Sequence, residues 1–395
     1  MFKRIGELAM EEKTIIPLSV PCLKGNELSY VTEAVETEWV SSGGQYVNLF
    51  EQQIAHYVGS QGAVSCQSGT AGIHTALLTL GISSEDVVLV PTLTFIAAVN
   101  PVRYIGATPV FMDCDDSLCM DPQKLKMFCE QECYVEKDIL FHKKSGKAVK
   151  AIIVVHVFGN LADMVSIMEI AKKYHLQVIE DATEALGTYV IDGKYQGVFA
   201  GMFGDIGVYS FNGNKIITTG GGGMIVSDHL SYLSEARHLT TQAKSDELYY
   251  IHDEVGYNYR MTNLQAALGV AQLEQLEHFV QIKNDNYILY RKFLDENIFL
   301  MPFRDGIRSN KWFYSILCQD QQQRDDLIEG LRNEDVQTRP IWDLIHKQKP
   351  YQKELVYQIE KANFYQERIV NIPCSTNLSK EEVMCVSEKI NLLLK

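Results

Sequence analysis

From about residue 63 to residue 226, short continuous apolar runs alternate with stretches of helical periodicity. Val87, Val88, Leu89 and Val90 read as one buried strand. Further strands are expected at residues 108–113, 151–156 and 177–181, with shorter ones at 206–210 and 223–226. Runs that are apolar throughout, without polar alternation, suit a sheet covered on both faces. Between them, residues 164–175 carry Val165, Ile167, Met168, Ile170 and Ala171 at helical spacing, and residues 71–80 form another helix. Such alternation predicts an α/β fold with a mainly parallel sheet. A long helix is expected over residues 264–283, with Thr262 as its cap. Beyond about Asn284, helices such as 324–333 mix with short strands such as 313–317. The chain therefore reads as a large α/β domain, residues 1–283, and a smaller α+β domain, residues 284–395.

Charge narrows the function. The 50 acidic residues outnumber the 36 basic ones, for a net charge of −14. That argues against nucleic acid as a partner, since such binders carry a basic surplus. No apolar run reaches the length of a membrane span. The N-terminal Met1-Phe2-Lys3-Arg4-Ile5-Gly6-Glu7 is charged and lacks the apolar stretch of an export signal, so a cytoplasmic location is expected. Nine cysteines, an odd number in a chain read as cytoplasmic, argue for free thiols. Cys114, Cys119, Cys129 and Cys133 cluster in sequence but lack the paired spacing of a zinc site, so no metal is expected.

Three segments carry chemistry. The first is Val208-Tyr209-Ser210-Phe211-Asn212-Gly213-Asn214-Lys215-Ile216-Ile217-Thr218-Thr219-Gly220, which sets one lysine in an almost uncharged, glycine-rich segment. Burial lowers a lysine toward the neutral amine that a bond to an aldehyde cofactor requires; the alternative is a solvated lysine in a surface loop. The second, Ser68-Gly69-Thr70-Ala71-Gly72, follows a short apolar strand and opens a helix. It is either an anion site or a plain cap, and it matches no known dinucleotide motif. In the third, Glu180-Asp181-Ala182-Thr183-Glu184, a carboxylate stands at a strand's C-terminal end, where open α/β sheets bind ligands. The competing reading is a helix cap.

In that order, a phosphate cup, a strand-end acid and a later lysine meet the requirements of pyridoxal 5'-phosphate (PLP). The phosphate needs donors, the pyridine nitrogen an acid and the aldehyde an amine. Ser210 can add a hydroxyl to the cup.

The chain resembles the DegT/StrS family of PLP-dependent nucleotide-sugar aminotransferases over nearly its whole length. The motifs that carry the resemblance include Ile16-Pro17-Leu18-Ser19, Trp39-Val40-Ser41-Ser42-Gly43-Gly44, Ser68-Gly69-Thr70-Ala71, Pro91-Thr92-Leu93-Thr94-Phe95, Glu180-Asp181-Ala182, the Lys215 segment and Gly256-Tyr257-Asn258-Tyr259-Arg260-Met261. The resemblance implies the aspartate-aminotransferase-like fold, with a seven-stranded, mainly parallel sheet and helices on both faces. Lys215 would bond to the cofactor and shuttle protons, and Asp181 would hold the ring nitrogen protonated. Gly69, Thr70 and Ser210 would bind the phosphate, Phe95 would stack on the ring, and Glu184 would lie beside the cofactor hydroxyl or the substrate. Asn258 would reach the phosphate of a neighbouring subunit, which implies a homodimer with shared active sites.

The resemblance also implies L-glutamate as amino donor and a nucleotide-linked ketosugar as acceptor. Trp39, Ser41 and Ser42 match the entrance for that sugar, and Arg339 offers a cation for its diphosphate or a surface ion pair. The residues flanking Lys215 resemble the branch that aminates C4 of UDP-linked 4-keto-6-deoxy-N-acetylhexosamines, the bacillosamine and legionaminic type. The alternatives are amination at C3 or of a GDP- or dTDP-linked ketosugar, and, from another class, an idle relative acting as a regulator or binding module.

Overall fold

The computed structural model describes residues 15–395, so the Met1 to Glu7 stretch lies outside the described residues. Seven strands form the centre: β1 (Gly62–Cys66), β2 (Asp86–Pro91), β3 (Thr108–Met112), β4 (Ala148–Val155), β5 (Gln177–Asp181), β6 (Ile206–Ser210) and β7 (Gly223–Ser227). Their spatial order is β1-β7-β6-β5-β4-β2-β3. Neighbours from β6 to β3 are parallel, and β7 runs antiparallel to both β6 and β1. Every residue of β2, β6 and β7 is buried, as their unbroken apolar runs predict for a sheet covered on both faces.

The sheet is larger than seven strands. A hairpin, Cys133–Glu136 with Ile139–His142, joins the β4 edge. Leu355–Val356, from far down the chain, pairs in parallel with β3 and brings the sheet to ten strands. A second, four-stranded sheet of Phe299–Leu300, Tyr314–Leu317, Arg339–Pro340 and Ile369–Ile372 is built from the C-terminal third.

Helix α1 (Gly69–Thr79) follows β1, and α2 (Met164–Tyr174) joins β4 to β5. The single helix expected over 264–283 is two: α3 (Asn263–Leu273) and α4 (Leu276–Phe293), so Asn284 lies inside α4. Thr262 does cap α3, in a capping box with Gln265. No glycine or proline marks the break. The Glu274 carboxylate instead accepts hydrogen bonds from Asn26 and Tyr30, and the Gln275 N–H turns back to the Gln272 carbonyl, tightening the last turn. All nine cysteines are free thiols, and Cys114, Cys119, Cys129 and Cys133 are buried.

Candidate active site

Three strand ends meet at one edge of the sheet. Cys66 of β1 pairs with Gly223 of β7, Gly223 pairs with Ser210 of β6, and Asp181 of β5 pairs with Val208 of β6. The chain segments that leave these ends, Ser68 to Thr70, Ala182 to Glu184 and Phe211 to Gly222, therefore emerge side by side. They enclose a cavity of about 590 Å³ that Gly69, Thr70, Phe95, Asp181, Glu184, Ser210, Lys215 and Arg339 all line.

The local structure bears on each of the open alternatives. Ser68 caps α1 by accepting from the Ala71 N–H, which leaves the Gly69 and Thr70 N–H groups without an acceptor among the described residues. They open onto the cavity at the positive end of an 11-residue helix, a site suited to an anion. Gly69 is required by space: a Cβ there would lie 2.8 Å from Thr183 Cγ2 and 3.1 Å from Ser210 Cβ. No helix follows Asp181, so it is not a helix cap. Its carboxylate accepts from the Thr183 N–H at 3.1 Å, and burial raises it above the usual carboxylate range. Glu180, one residue earlier, points elsewhere. It accepts from His156 Nε2 at 2.8 Å and from the N–H groups of Gly201, Phe203 and Gly204.

Lys215 is not a surface lysine. Its side chain is 12% exposed, its Nζ lies 3.7 Å from Glu184 Oε1, and burial lowers it toward the neutral amine. Burial pushes the Glu184 carboxyl up to about 7. The other Glu184 oxygen accepts from the Phe158 N–H at 2.8 Å, and Phe158 takes a left-handed backbone conformation (φ 57°) to present it. On its other side, Lys215 Nζ faces the Trp312 ring at 4.1 Å from the centroid.

Phe95 lines the cavity and is 54% exposed. Arg339 lines it too and makes no ion pair among the described residues, so the surface salt bridge open to it in the sequence does not form. Trp39, Ser41, Ser42 and Asn258 are exposed and stand outside the cavity of their own chain. The Trp39 and Ser41 carbonyls are tied to Asn263, at the start of α3. Sequence reasoning missed Trp312, Trp342, Phe158, Asn214, Gln337 and Asn371, which also line the cavity. Of these, Asn214 is legible in retrospect from its place beside Lys215.

Comparison with known proteins decides the family. The DegT/DnrJ/EryC1/StrS aminotransferase family profile matches residues 21–391. The chain belongs to that family. It is a PLP-dependent sugar aminotransferase. It is 37% identical over 377 residues to the GDP-perosamine synthase of Escherichia coli O157:H7, covering 95% of this chain and 98% of that protein. It is 34% identical over 394 residues to the GDP-perosamine synthase of Vibrio cholerae, covering 96% and 100%. Among solved structures, a DegT DnrJ EryC1 StrS aminotransferase from Brucella abortus superposes with a TM-score of 0.85 at 26% identity, covering 93% of this chain and 95% of that one. The cavity of this family member fits PLP, because it combines a buried amine, buried carboxyls and a helix N-terminus with free N–H donors. Among the described residues, no helix is long and apolar enough to cross a membrane.

Proposed function

We propose that this aminotransferase moves an amino group from L-glutamate to C4 of a GDP-linked 4-keto-6-deoxyhexose, with Lys215, Asp181 and Glu184 as its catalytic residues. The observation that carries the residue roles is the convergence of two buried carboxyls and the largely buried Lys215 amine on one cavity beside the α1 N-terminus. The GDP-linked reading is supported by the likeness to two GDP-perosamine synthases along nearly their full lengths. It displaces the UDP-linked reading, which rested on the short segment from Ser210 to Gly223.

When bound, PLP supplies an electron sink for negative charge at the carbon that loses its proton. The protein does the rest. The Gly69 and Thr70 N–H groups, with the Thr70 and Ser210 hydroxyls, hold the phosphate. Phe95 covers a ring face. Asp181 is costly to keep charged in its buried position, so it favours a cation against it and holds the ring nitrogen protonated. Lys215 Nζ, lowered toward the neutral amine by burial, would take the proton from the donor's α-carbon and hold it beside the bound cofactor. Glu184, poised near 7, exchanges a proton with Lys215 across 3.7 Å. Arg339 meets the sugar diphosphate with paired donors.

Asn258, Trp39, Ser41 and Ser42, exposed on their own chain, complete the cavity of a second copy in this reading. That makes the enzyme a homodimer with shared sites.

The test is a comparison of kcat/KM for GDP-, UDP- and dTDP-linked 4-keto-6-deoxyhexoses with L-glutamate, with the aminated carbon identified by NMR. The expected result is a preference for GDP of at least about tenfold and nitrogen at C4, a discrimination of about 1.4 kcal/mol or more. A preference for the UDP-linked N-acetyl sugar would restore the displaced reading.

A further inference from the structure

We infer that Trp312 is a positioning residue for Lys215: its indole face seats the ammonium that Lys215 becomes each time it takes up a proton. The inference rests on the proposed role of Lys215. That lysine is free during part of any transamination cycle, and its proton transfers require Nζ to be held in place while it gains and loses charge. Here it lies between Glu184 Oε1 at 3.7 Å and the Trp312 ring at 4.1 Å from the centroid. Of the aromatic side chains, tryptophan attracts a cation most strongly, and the attraction grows when both partners are dry. Trp312 is 3% exposed.

The ring cannot turn away, because every polar group of Trp312 is engaged. Its Nε1–H donates to the Asn214 carbonyl at 2.7 Å, next to Lys215. Its backbone N–H donates to Asn310 Oδ1 at 3.0 Å, and its carbonyl accepts from buried Lys283 Nζ at 2.7 Å. Asn310, itself fully buried, donates through Nδ2 to the carbonyls of Glu184 and Leu186, each at 2.9 Å. One amide thus fixes both the segment that carries the acid and the residue that carries the ring. Only glycine fits beside it: at Gly159 (φ 85°) a Cβ would lie 1.9 Å from Asn310 Oδ1. The charged groups acting on Lys215 are Asp181, at the end of β5, and Glu184, in the segment that leaves it, and both favour the ammonium while burial opposes it.

The test changes the ring's charge distribution without changing its shape. Enzyme is produced with its three tryptophans replaced by mono-, di- or trifluorinated tryptophan and stripped of cofactor. The rate at which the visible absorption of added PLP develops is then followed against pH. Uptake requires the neutral amine, so the apparent pKa of the profile reports Lys215. That pKa is expected to fall stepwise with fluorination, by about 0.5–1 unit at three fluorines. In the Trp312→Phe variant, fluorinating the remaining two tryptophans should leave it unmoved. An apparent pKa that ignores fluorination, or that still responds in Trp312→Phe, overturns the inference. If unlabelled enzyme takes up no PLP at any pH, it is instead the proposed role of Lys215 that fails.

Discussion

Lys215 Nζ and Glu184 Oε1 stand 3.7 Å apart with side chains only 12% and 3% exposed. Burial works against both charges, lowering the amine and raising the acid to about 7. The neutral pair is thereby brought nearer to the ion pair in free energy, the direction that favours proton exchange between them. Replacing Glu184 by Gln keeps the Phe158 N–H satisfied and removes the exchangeable proton. The expected result is a loss in kcat of about 10²-fold or more, together with the inflection of kcat near pH 7. A pH–rate profile of wild type and Glu184→Gln checks it.

The same residue governs stability in the cofactor-free protein. The Glu184 carboxyl titrates near 4.5 when unfolded and about 7 when folded. Between those values the folded state keeps a proton that the unfolded state has lost, so stability falls as pH rises through this window. Glu184→Gln lacks that loss. It should be more stable than wild type at pH 8 by at most about 3 kcal/mol, and the gap should close by pH 4.5. Urea unfolding at the two pH values measures both.

Asp181→Asn preserves an acceptor for the Thr183 N–H but removes the charge. Turnover should fall by about 10²–10³-fold, the scale of losing one electrostatic contact to the developing charge. Thermal unfolding should show the fold intact.

Gly69→Ala would push its methyl against Thr183 Cγ2 at 2.8 Å. Overpacking of this kind costs about 1–3 kcal/mol. It should appear as a PLP dissociation constant raised by about tenfold or more in an equilibrium titration.

Much of this site was legible because its parts lie at strand ends. Asp181 closes an apolar strand, Gly69 opens a helix, and Lys215 lies in a glycine-rich segment between two apolar runs. Each of those signals is local. Trp312 joins the cavity from the C-terminal third, roughly a hundred residues after Lys215, and no local pattern reports such an approach; Arg339, from the same third, could be named from the sequence only as one of two readings. Leu355–Val356 was hidden for the same reason, since two residues pairing with β3 carry no periodicity. The break at Glu274 was hidden because tertiary hydrogen bonds to Asn26 and Tyr30, rather than a breaker residue, accompany it.

Arg339 makes no ion pair among the described residues and lines the cavity. Arg339→Gln should therefore raise KM for the nucleotide sugar by about 10–100-fold with little change in kcat, as expected for a lost charge-assisted contact. The wild-type KM should also rise with salt. Steady-state kinetics at two ionic strengths tests both statements.

The most direct measurement traps the cofactor where it is bound. Holoenzyme is reduced with borohydride, digested, and its peptides are read by mass spectrometry. The expected result is a phosphopyridoxyl group on the peptide containing Lys215 and on no other lysine. A modified peptide carrying a different lysine, with Lys215 untouched, would contradict the assignment of Lys215 as the reacting amine.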